Sequence, residues 1–371
     1  MLYIHIPFCK QRCVYCDFYS TIYDSEVSQQ YAEALCAELK TYKTATSTPL
    51  QSIYIGGGTP SILKQEVWAK ILSCLHECFQ LASTTEFTVE MNPDDVCSTL
   101  IDTFICAGVN RISLGVQTFN NETLSLLNRR HTAQQAIAAI NLIHAKGLHN
   151  ISIDLIYGLP NQSLEDWKND LKTACRLPIK HLSAYNLMYE PGTKLSAMKE
   201  TGAVSEAPDK LIEQMYLTLC HTLAHEGFSH YEISNFAKPH YESKHNSGYW
   251  NATPYIGVGA GAHSFNGVDR FYNRPNVQAY IRHAGRPPRE TEPLTPQQRI
   301  NEYVFTRLRT STGIDLAHFA NRFGESETRR ILSIAEPFIS RKQMLIANNH
   351  LSISEQAILV SDDIMSEFMR V

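Results

Sequence analysis

Several features are scarce or missing in this chain, and each absence excludes a class of protein. No apolar run approaches the roughly 18 residues of a membrane-spanning helix. The apolar N-terminal stretch is interrupted by His5 and Pro7 and follows no basic segment, unlike a secretory signal peptide. The net charge is only −4 over 371 residues. We therefore expect a cytoplasmic protein with no membrane span, for which a peripheral membrane contact stays open.

The charge is also too small for a nucleic-acid-binding protein. From residue 291 to the end, nine Lys and Arg stand against ten Asp and Glu. Phosphate contacts need an excess of Lys and Arg. A nucleic-acid-binding C-terminal region is therefore the weakest of the functional interpretations, and we expect no nucleic-acid partner.

Short strand-like runs alternate with helical patterns through the first half of the chain. The runs are LYIHIPF (2–8), QSIYIGG (51–57), EFTVEMN (86–92), RISLGVQ (111–117), NISIDLIYG (150–158) and HLSAYNLM (181–188). Six strand–helix alternations predict a parallel α/β sheet, arranged either as an open doubly wound sheet or as a closed or partial barrel. Polar, Gly or Cys residues end each run, and this favours a barrel because its strand ends converge on one mouth.

Two further regions follow this core, which we predict to span residues 1–230. Residues 231–290 are rich in His, Gly, Asn and aromatic residues and read as a binding extension that runs into a proline-rich linker, 273–296. Residues 291–371 combine helical patterns with a predicted hairpin at 344–354. They predict a small C-terminal α+β domain, for which a winged helix is one arrangement.

Three of the ten cysteines, Cys9, Cys13 and Cys16, are clustered directly after the first strand. A zinc site would need a remote fourth ligand. Disulfide or redox chemistry would use Cys13 and Cys16 and leave the third thiol unexplained. An iron–sulfur cluster is the favoured interpretation, because three thiolates leave one iron open to a small molecule. The other seven cysteines are interpreted as buried free thiols.

The motif C-x-x-x-C-x-x-C, with Tyr15 before its last cysteine and GGGTP at residues 56–60, resembles the radical S-adenosylmethionine (SAM) enzymes. The resemblance implies a partial (β/α)6 barrel and a [4Fe-4S] cluster bound by Cys9, Cys13 and Cys16. It also implies that SAM chelates the fourth iron, and that one electron from a reducing donor cleaves SAM to methionine and a deoxyadenosyl radical.

The same resemblance implies a set of SAM-binding positions. The matches are HIPFC, GGGTP, FTVEMNP, GVQTFN…LNRRH and IDLIYGLP. The implied cofactor-binding residues are Tyr3, Tyr15, Gly57, Gly58, Thr59, Glu90, Gln117, Arg129 and Asp154. The alternative for each is local: a tight turn built of glycines, or hydrogen bonds within the barrel mouth.

Over nearly its whole length the chain resembles the branch that contains oxygen-independent coproporphyrinogen III oxidases and HemW haem chaperones. The oxidases have a further cysteine where this chain has Phe18, and they carry a segment before the first strand, which starts here at Leu2. HNSGYW (245–250) matches the H-N-x-x-Y-W motif of HemW-like proteins. The resemblance therefore implies a chaperone that binds haem and passes it to an acceptor haemoprotein, with oxidative decarboxylation of coproporphyrinogen III as the enzymatic alternative.

His245 of this motif is the predicted haem ligand, since an imidazole can bind iron axially beside aromatic rings that stack on the macrocycle. Two alternatives stay open. His245 can be hydrogen-bonded locally while Tyr249 and Trp250 pack the loop on the barrel, and His263 is a second, more weakly supported ligand.

Overall fold

A nine-stranded sheet lies at the centre of the computed structural model, which describes residues 1–43, 48–283 and 285–370. The strands in these residues are β1 (Leu2–Ile6), β2 (Phe8–Cys9), β3 (Thr21–Ile22), β4 (Leu50–Gly57), β5 (Leu81–Met91), β6 (Arg111–Gln117), β7 (Asn150–Tyr157), β8 (His181–Asn186), β9 (Ser229–Glu232), β10 (Asn235–Ala237), β11 (Ile256–Val258), β12 (His263–Phe265), β13 (Arg270–Asn273), β14 (Arg289–Glu292), β15 (Ile314–Asp315), β16 (Met344–Ala347) and β17 (His350–Ile353).

Helices connect and cover these strands. They are α1 (Ser25–Thr41), α2 (Gln65–Cys78), α3 (Ser98–Cys106), α4 (Asn121–Leu126), α5 (Ala133–Ala145), α6 (Leu164–Cys175), α7 (Lys194–Glu200), α8 (Asp209–His225), α9 (Lys244–Trp250), α10 (Val277–Arg282), α11 (Pro296–Leu308), α12 (Leu316–Phe323), α13 (Glu325–Ser340) and α14 (Ser361–Glu367), with 3-10 turns at Pro60–Ile62, Pro93–Asp95 and Glu355–Val360. Across the described ranges, none of the helices is both long enough and apolar enough to pass through a bilayer.

The order of strands in the main sheet is that of a partial barrel. From edge to edge it runs β11-β1-β4-β5-β6-β7-β8-β10-β9. The pairs from β11 to β8 are parallel, whereas β10 pairs antiparallel with both β8 and β9. A helix lies between each two successive parallel strands from β1 to β8. The predicted α/β class and partial (β/α)6 barrel are confirmed, with β11 and the β9–β10 hairpin added at the two edges.

The two faces of the barrel strands differ in chemistry. Successive side chains of a strand point to opposite faces. The face under the helices is apolar and fully buried at Ile4, Ile55, Val89, Leu114 and Ile153. The alternate positions face the barrel interior and are polar at Tyr54, Glu90, Arg111, Asp154 and Ser183. The polar inner face therefore gives the barrel a place for a polar ligand.

The region predicted as a linker contains regular structure. Residues 273–296 include α10 and β14, and β14 pairs with β13 in a second, three-stranded sheet. Tyr280 of α10 packs against Tyr31, with ring centroids 4.9 Å apart, and donates to Glu38. Residue 284 of this segment and residue 371 of the predicted C-terminal domain lie outside the described residues.

The C-terminal residues have a hydrophobic core of their own. Its buried members lie between Ile300 and Phe368. The elements follow the order helix, strand, two helices, two strands, from α11 to β17, and the sheet order is β15-β17-β16. This is the order of a winged helix, and the predicted small α+β domain and its hairpin are present. The division at residues 230 and 290 stays a prediction.

Candidate functional site

The three clustered cysteines lie on a loop, residues 9–16, that the barrel holds in place. We call it the thiol loop. Val14 is buried between two of the cysteines, where its amide donates to Leu127 O at 3.2 Å and its carbonyl accepts from Leu195 N at 2.8 Å. Cys16 N donates to Cys13 O at 3.3 Å. The loop is thus bonded to the connections after β6 and β8, at the mouth of the barrel.

The thiols are free and lie beside hydrogen-bond donors. Arg129 Nη1 donates to Cys13 Sγ at 3.4 Å, and Thr59 Oγ1 donates to Cys9 Sγ at 3.6 Å. Burial raises the pKa of the Cys16 thiol, and the Cys13 and Cys9 thiols add to that effect. The two donors would form part of the outer shell of a metal bound by these thiols.

The donor set fits an iron–sulfur cluster better than a single ion. Among the described residues, no three His, Cys, Asp or Glu side chains converge closely enough to bind one metal ion. A structural zinc ion needs such convergence. In a cubane cluster each thiolate binds a different iron, so the thiols surround the cluster without meeting at one point.

Two carboxyl groups face the interior below this loop. Glu90 accepts from Tyr54 Oη at 2.6 Å and from Gly57 N at 3.0 Å. Burial raises the pKa of Glu90 from 4.5 to about 7, and Asp154 nearby adds to the shift. Burial likewise raises the pKa of Asp154 to about 6, against the opposing effect of the Ser183 hydroxyl. Glu90 therefore keeps part of its proton near neutral pH, and both carboxyls can pair with a positively charged group of a ligand.

The glycines of the GGGTP loop are required by the chain's own packing. Gly57 has φ +113°, and a Cβ there would lie 2.5 Å from the His5 ring. A Cβ on Gly58 would lie 2.7 Å from Phe8 O. Gly58 N and Thr59 N donate to Ile6 O and Phe8 O at 2.9 and 2.7 Å. A tight turn is therefore sufficient to explain why glycines occupy these positions. The turn also brings Thr59 against Cys9.

Arg129 joins several strand ends at the mouth. Its Nη2 donates to Asn92 Oδ1 and Gly115 O, and its Nε is buried without a hydrogen-bond partner among the described residues. A buried donor beside the thiols suits the anionic group of a bound ligand. Gln117 lies next to Gly115 at a bulge of β6 with φ +70°, a conformation that is uncommon outside glycine and asparagine.

The structure brings most of the sequence-predicted site residues together. Gly57 ends β4 and is followed by Gly58 and Thr59, and Gln117 ends β6 and is followed later by Arg129. Glu90 and Asp154 lie on the inner faces of β5 and β7. Tyr15 lies beside Arg129 and Cys13, and burial raises its pKa. Tyr3 is on the inner face of β1 and bonds His5 Nδ1 at 2.8 Å. Their SAM-binding roles stay predictions.

His245 lies elsewhere, at the amino end of the barrel strands. It is 1% exposed. Its Nδ1 bonds Ser52 Oγ and its Nε2 bonds Tyr249 Oη, both at 2.9 Å. The Glu86 carboxylate accepts from the backbone of His245 at 3.0 Å and fixes the start of α9. Neither ring nitrogen is free for iron, so this geometry supports the local hydrogen-bonded interpretation over the predicted haem ligand.

A cavity of about 720 Å³ opens between the barrel, the β12–β13–β14 sheet and the C-terminal helices. We call it the side cleft. Its walls include Tyr3 and His5 of β1, Phe18 after the thiol loop, His263 of β12, Tyr303 of α11 and Arg322 of α12. Phe18 is 67% exposed. The cleft therefore runs from the thiol loop to the C-terminal domain.

Sequence reasoning missed several polar residues of the barrel mouth. Tyr54 donates a hydrogen bond to Glu90, and Asn92 accepts one from Arg129. His5 lies against the GGGTP turn. Strand alternation provides a signal for Tyr54 and His5, because both fall on the inner-face positions of their strands. Asn92 stands in the matched FTVEMNP run, directly after β5.

Two parts of the chain match known protein families. Residues 3–174 match the Radical SAM superfamily, and residues 294–360 match the HemN C-terminal domain. Among solved structures, coproporphyrinogen III oxidase (HemN) from Escherichia coli, a radical SAM enzyme, aligns with a TM-score of 0.85 and 23% identity. The alignment covers 99% of this chain and 89% of the oxidase, and it shows a shared fold.

Full-length similarity is found to curated haem chaperones. The chain is 34% identical to the Heme chaperone HemW of Bacillus subtilis, over 99% of this chain and 98% of that protein. The chain is 33% identical to HemW of Lactococcus lactis, over 99% of this chain and 96% of that protein. A shorter alignment with HemW of Escherichia coli K12 has 40% identity and covers 71% of this chain and 69% of that protein.

Proposed function

The chain belongs to the HemW family of radical SAM proteins, and on this basis we propose that it is a haem chaperone. It binds a [4Fe-4S] cluster, SAM and haem, and it delivers haem to acceptor haemoproteins. The observation that carries the chaperone assignment is the similarity to HemW proteins over essentially the whole of both chains.

Membership of the radical SAM superfamily implies a cluster and SAM, and the donor set at the barrel mouth fits both. Cys9, Cys13 and Cys16 are the cluster ligands in this proposal. When bound, the cluster supplies an open iron position and one electron. This chain's own residues orient the ligands: Arg129 donates to a cluster thiol, and its unpaired Nε is available for an anionic group of SAM.

The inner-face carboxyls are suited to the positively charged part of SAM. Glu90 and Asp154 have raised pKa values because burial disfavours their charged forms. A cation placed between them would favour deprotonation of both. In this proposal Tyr54 orients Glu90, and Gly57, Gly58, Thr59, Gln117, Tyr3 and Tyr15 complete the pocket.

A cytoplasmic location agrees with the state of the cysteines. All ten are free in the structure. Thiols stay reduced in the cytosol and pair in oxidising compartments. A reducing electron donor is a further partner in this proposal, since the cluster must receive an electron before it can pass one on.

Haem transfer is the experiment that tests this function. The anaerobically reconstituted protein is loaded with haem and mixed with a haem-free acceptor haemoprotein, and the acceptor's Soret spectrum is followed. We expect the acceptor to gain haem from the protein faster than from the same amount of haem on serum albumin. Failure of the wild-type protein to bind haem would contradict the proposal.

Oxidase activity is the alternative that must be measured in parallel. The likeness to the coproporphyrinogen III oxidase is at 23% identity and extends to the fold alone. The protein is incubated with SAM, a reductant and coproporphyrinogen III. We expect no protoporphyrinogen, and its formation at enzymatic rates would replace the chaperone proposal with the enzymatic one.

A further inference from the structure

The side cleft has the size and composition for a large flat ligand. Its volume of about 720 Å³ lies within the range of small-molecule and cofactor sites. Aromatic rings face it from separate parts of the chain, among them Phe18, Tyr255, Phe265, Tyr272 and Tyr303. Rings of this kind bind a planar macrocycle by stacking and edge contacts.

Three histidines lie in or beside this region, and their ring nitrogens differ in availability. Those of His245 bond Ser52 and Tyr249. His5 lines the cleft, but its Nδ1 bonds Tyr3 Oη at 2.8 Å and its Nε2 lies 3.1 Å from Tyr19 O. Both imidazoles are therefore occupied by internal hydrogen bonds.

His263 is the exception. It lies on β12, its side chain is exposed, and it lines the cleft. No hydrogen bond joins its ring nitrogens to another residue in the part of the chain that the structure describes. Its ring stacks on Tyr272 with centroids 5.0 Å apart and planes 24° apart, which holds the imidazole in one orientation. Partial desolvation against the cleft wall and the nearby Arg270 lower the pKa of His263, so the neutral form, which binds iron, is favoured.

The cleft also offers a positive charge without a carboxylate partner. Arg270 and Arg299 pair with Glu302 and Asp269 at 3.3 and 3.7 Å. Arg322 makes no ion pair within the described ranges, and its guanidinium lies 5.5 Å from the centre of the Tyr303 ring. A guanidinium on the rim is suited to a propionate group.

We propose that the side cleft is the haem-binding site of this chain, with His263 as an axial ligand of the iron and Arg322 as a contact of a propionate. The inference rests on the proposed haem-chaperone function and assigns its site. It places haem between the thiol loop and the C-terminal domain, and it gives His245 a structural role at the closed end of the barrel.

Haem titration of histidine variants tests the ligand. Haem is titrated into the reconstituted wild-type protein and into the variants His263→Ala, His245→Gln and His225→Ala, and the Soret band is recorded. His225 is an exposed histidine on α8 outside the cleft, and the glutamine at 245 keeps a hydrogen-bonding side chain. Circular dichroism and iron content per chain confirm that each variant is folded and loaded.

We expect His263→Ala to weaken haem binding at least about tenfold and to change the spectrum, with added imidazole restoring the wild-type band. His225→Ala and His245→Gln should keep the wild-type spectrum. If wild-type protein binds haem and His263→Ala keeps its affinity and spectrum, the inference is overturned while the chaperone proposal stands. If wild-type protein binds no haem, the chaperone proposal itself is overturned.

A second comparison tests the propionate contact. Arg322→Gln should weaken the binding of haem several-fold and leave the binding of haem dimethyl ester unchanged, because the ester carries no propionate charge. Arg329→Gln, on the exposed side of α13, is the matched control and should affect neither ligand. Equal effects of Arg322→Gln on both ligands, or no effect on either, would remove Arg322 from the site.

Discussion

The raised pKa of Glu90 leads to a prediction about how the stability of the protein depends on pH. The folded protein shifts this pKa from 4.5 to about 7, chiefly because burial disfavours the carboxylate. Between these two pH values the folded state keeps a proton that the unfolded chain releases. The free energy of unfolding of the cofactor-free protein therefore falls as pH rises through this window, and the full loss is reached above pH 7.

The magnitude follows from the shift. At about 1.4 kcal/mol for each tenfold change in proton affinity, the loss is about 3 kcal/mol. Glu90→Gln removes the charge and keeps an acceptor for Tyr54, but the amide cannot replace the acceptor of Gly57 N, and a lost hydrogen bond costs about 1 kcal/mol. At pH 5 about 0.8 kcal/mol of the loss has already occurred, because the unfolded carboxyl is mostly ionised there. We therefore expect the variant to be about 2 kcal/mol more stable than wild type at pH 8 and about as stable as wild type at pH 5.

Urea unfolding of the cofactor-free wild type and variant at both pH values measures this difference. Glu33→Gln is the control, because Glu33 is an exposed carboxylate paired with Lys70, and this variant should differ from wild type by the same small amount at both pH values. A Glu90→Gln protein that is equally destabilised at pH 5 and pH 8 would refute the assignment of a proton to Glu90.

Two further predictions concern the framework of the site. Gly57→Ala should destabilise the protein by about 3 kcal/mol in thermal unfolding, because Gly57 has a positive φ and the new Cβ would overlap the His5 ring. The control is Gly108→Ala, which should cost only about 1 kcal/mol because Gly108 has φ +83° but open space around it. Arg289→Ala should destabilise the protein by about 2 kcal/mol in urea unfolding, because it leaves the buried carboxylate of Glu38 without its ion-pair partner. Substitution of the exposed Arg286 by alanine is the control, and equal urea midpoints for the two variants would contradict this role.

The barrel was predictable because its signal is local. Each parallel strand is a short apolar run with a characteristic residue at its carboxyl end, and the ends meet at one mouth. The cysteines, Thr59 and Arg129 therefore lie together as expected. The edge strand β11 was missed, because it has three residues and is defined by pairing with β1 more than 250 positions away.

The burial of His245 could not be predicted from local sequence patterns. Its partners, Ser52 and Glu86, lie 193 and 159 positions away in the chain, so no local pattern shows that the histidine is buried. The same holds for the region read as a linker, where Tyr280 packs on Tyr31 of α1. The interpretation of all seven other cysteines as buried was wrong for Cys97 and Cys106, which are exposed.

The central claim is that three thiolates of this chain bind a [4Fe-4S] cluster and leave one iron open. Anaerobic reconstitution followed by counting of iron and acid-labile sulfide tests it most directly. We expect about four of each per chain in the wild-type protein, and loss of most of both in Cys13→Ser. Stoichiometric zinc at these thiols, or a wild-type chain that binds no iron and sulfide, would contradict the account.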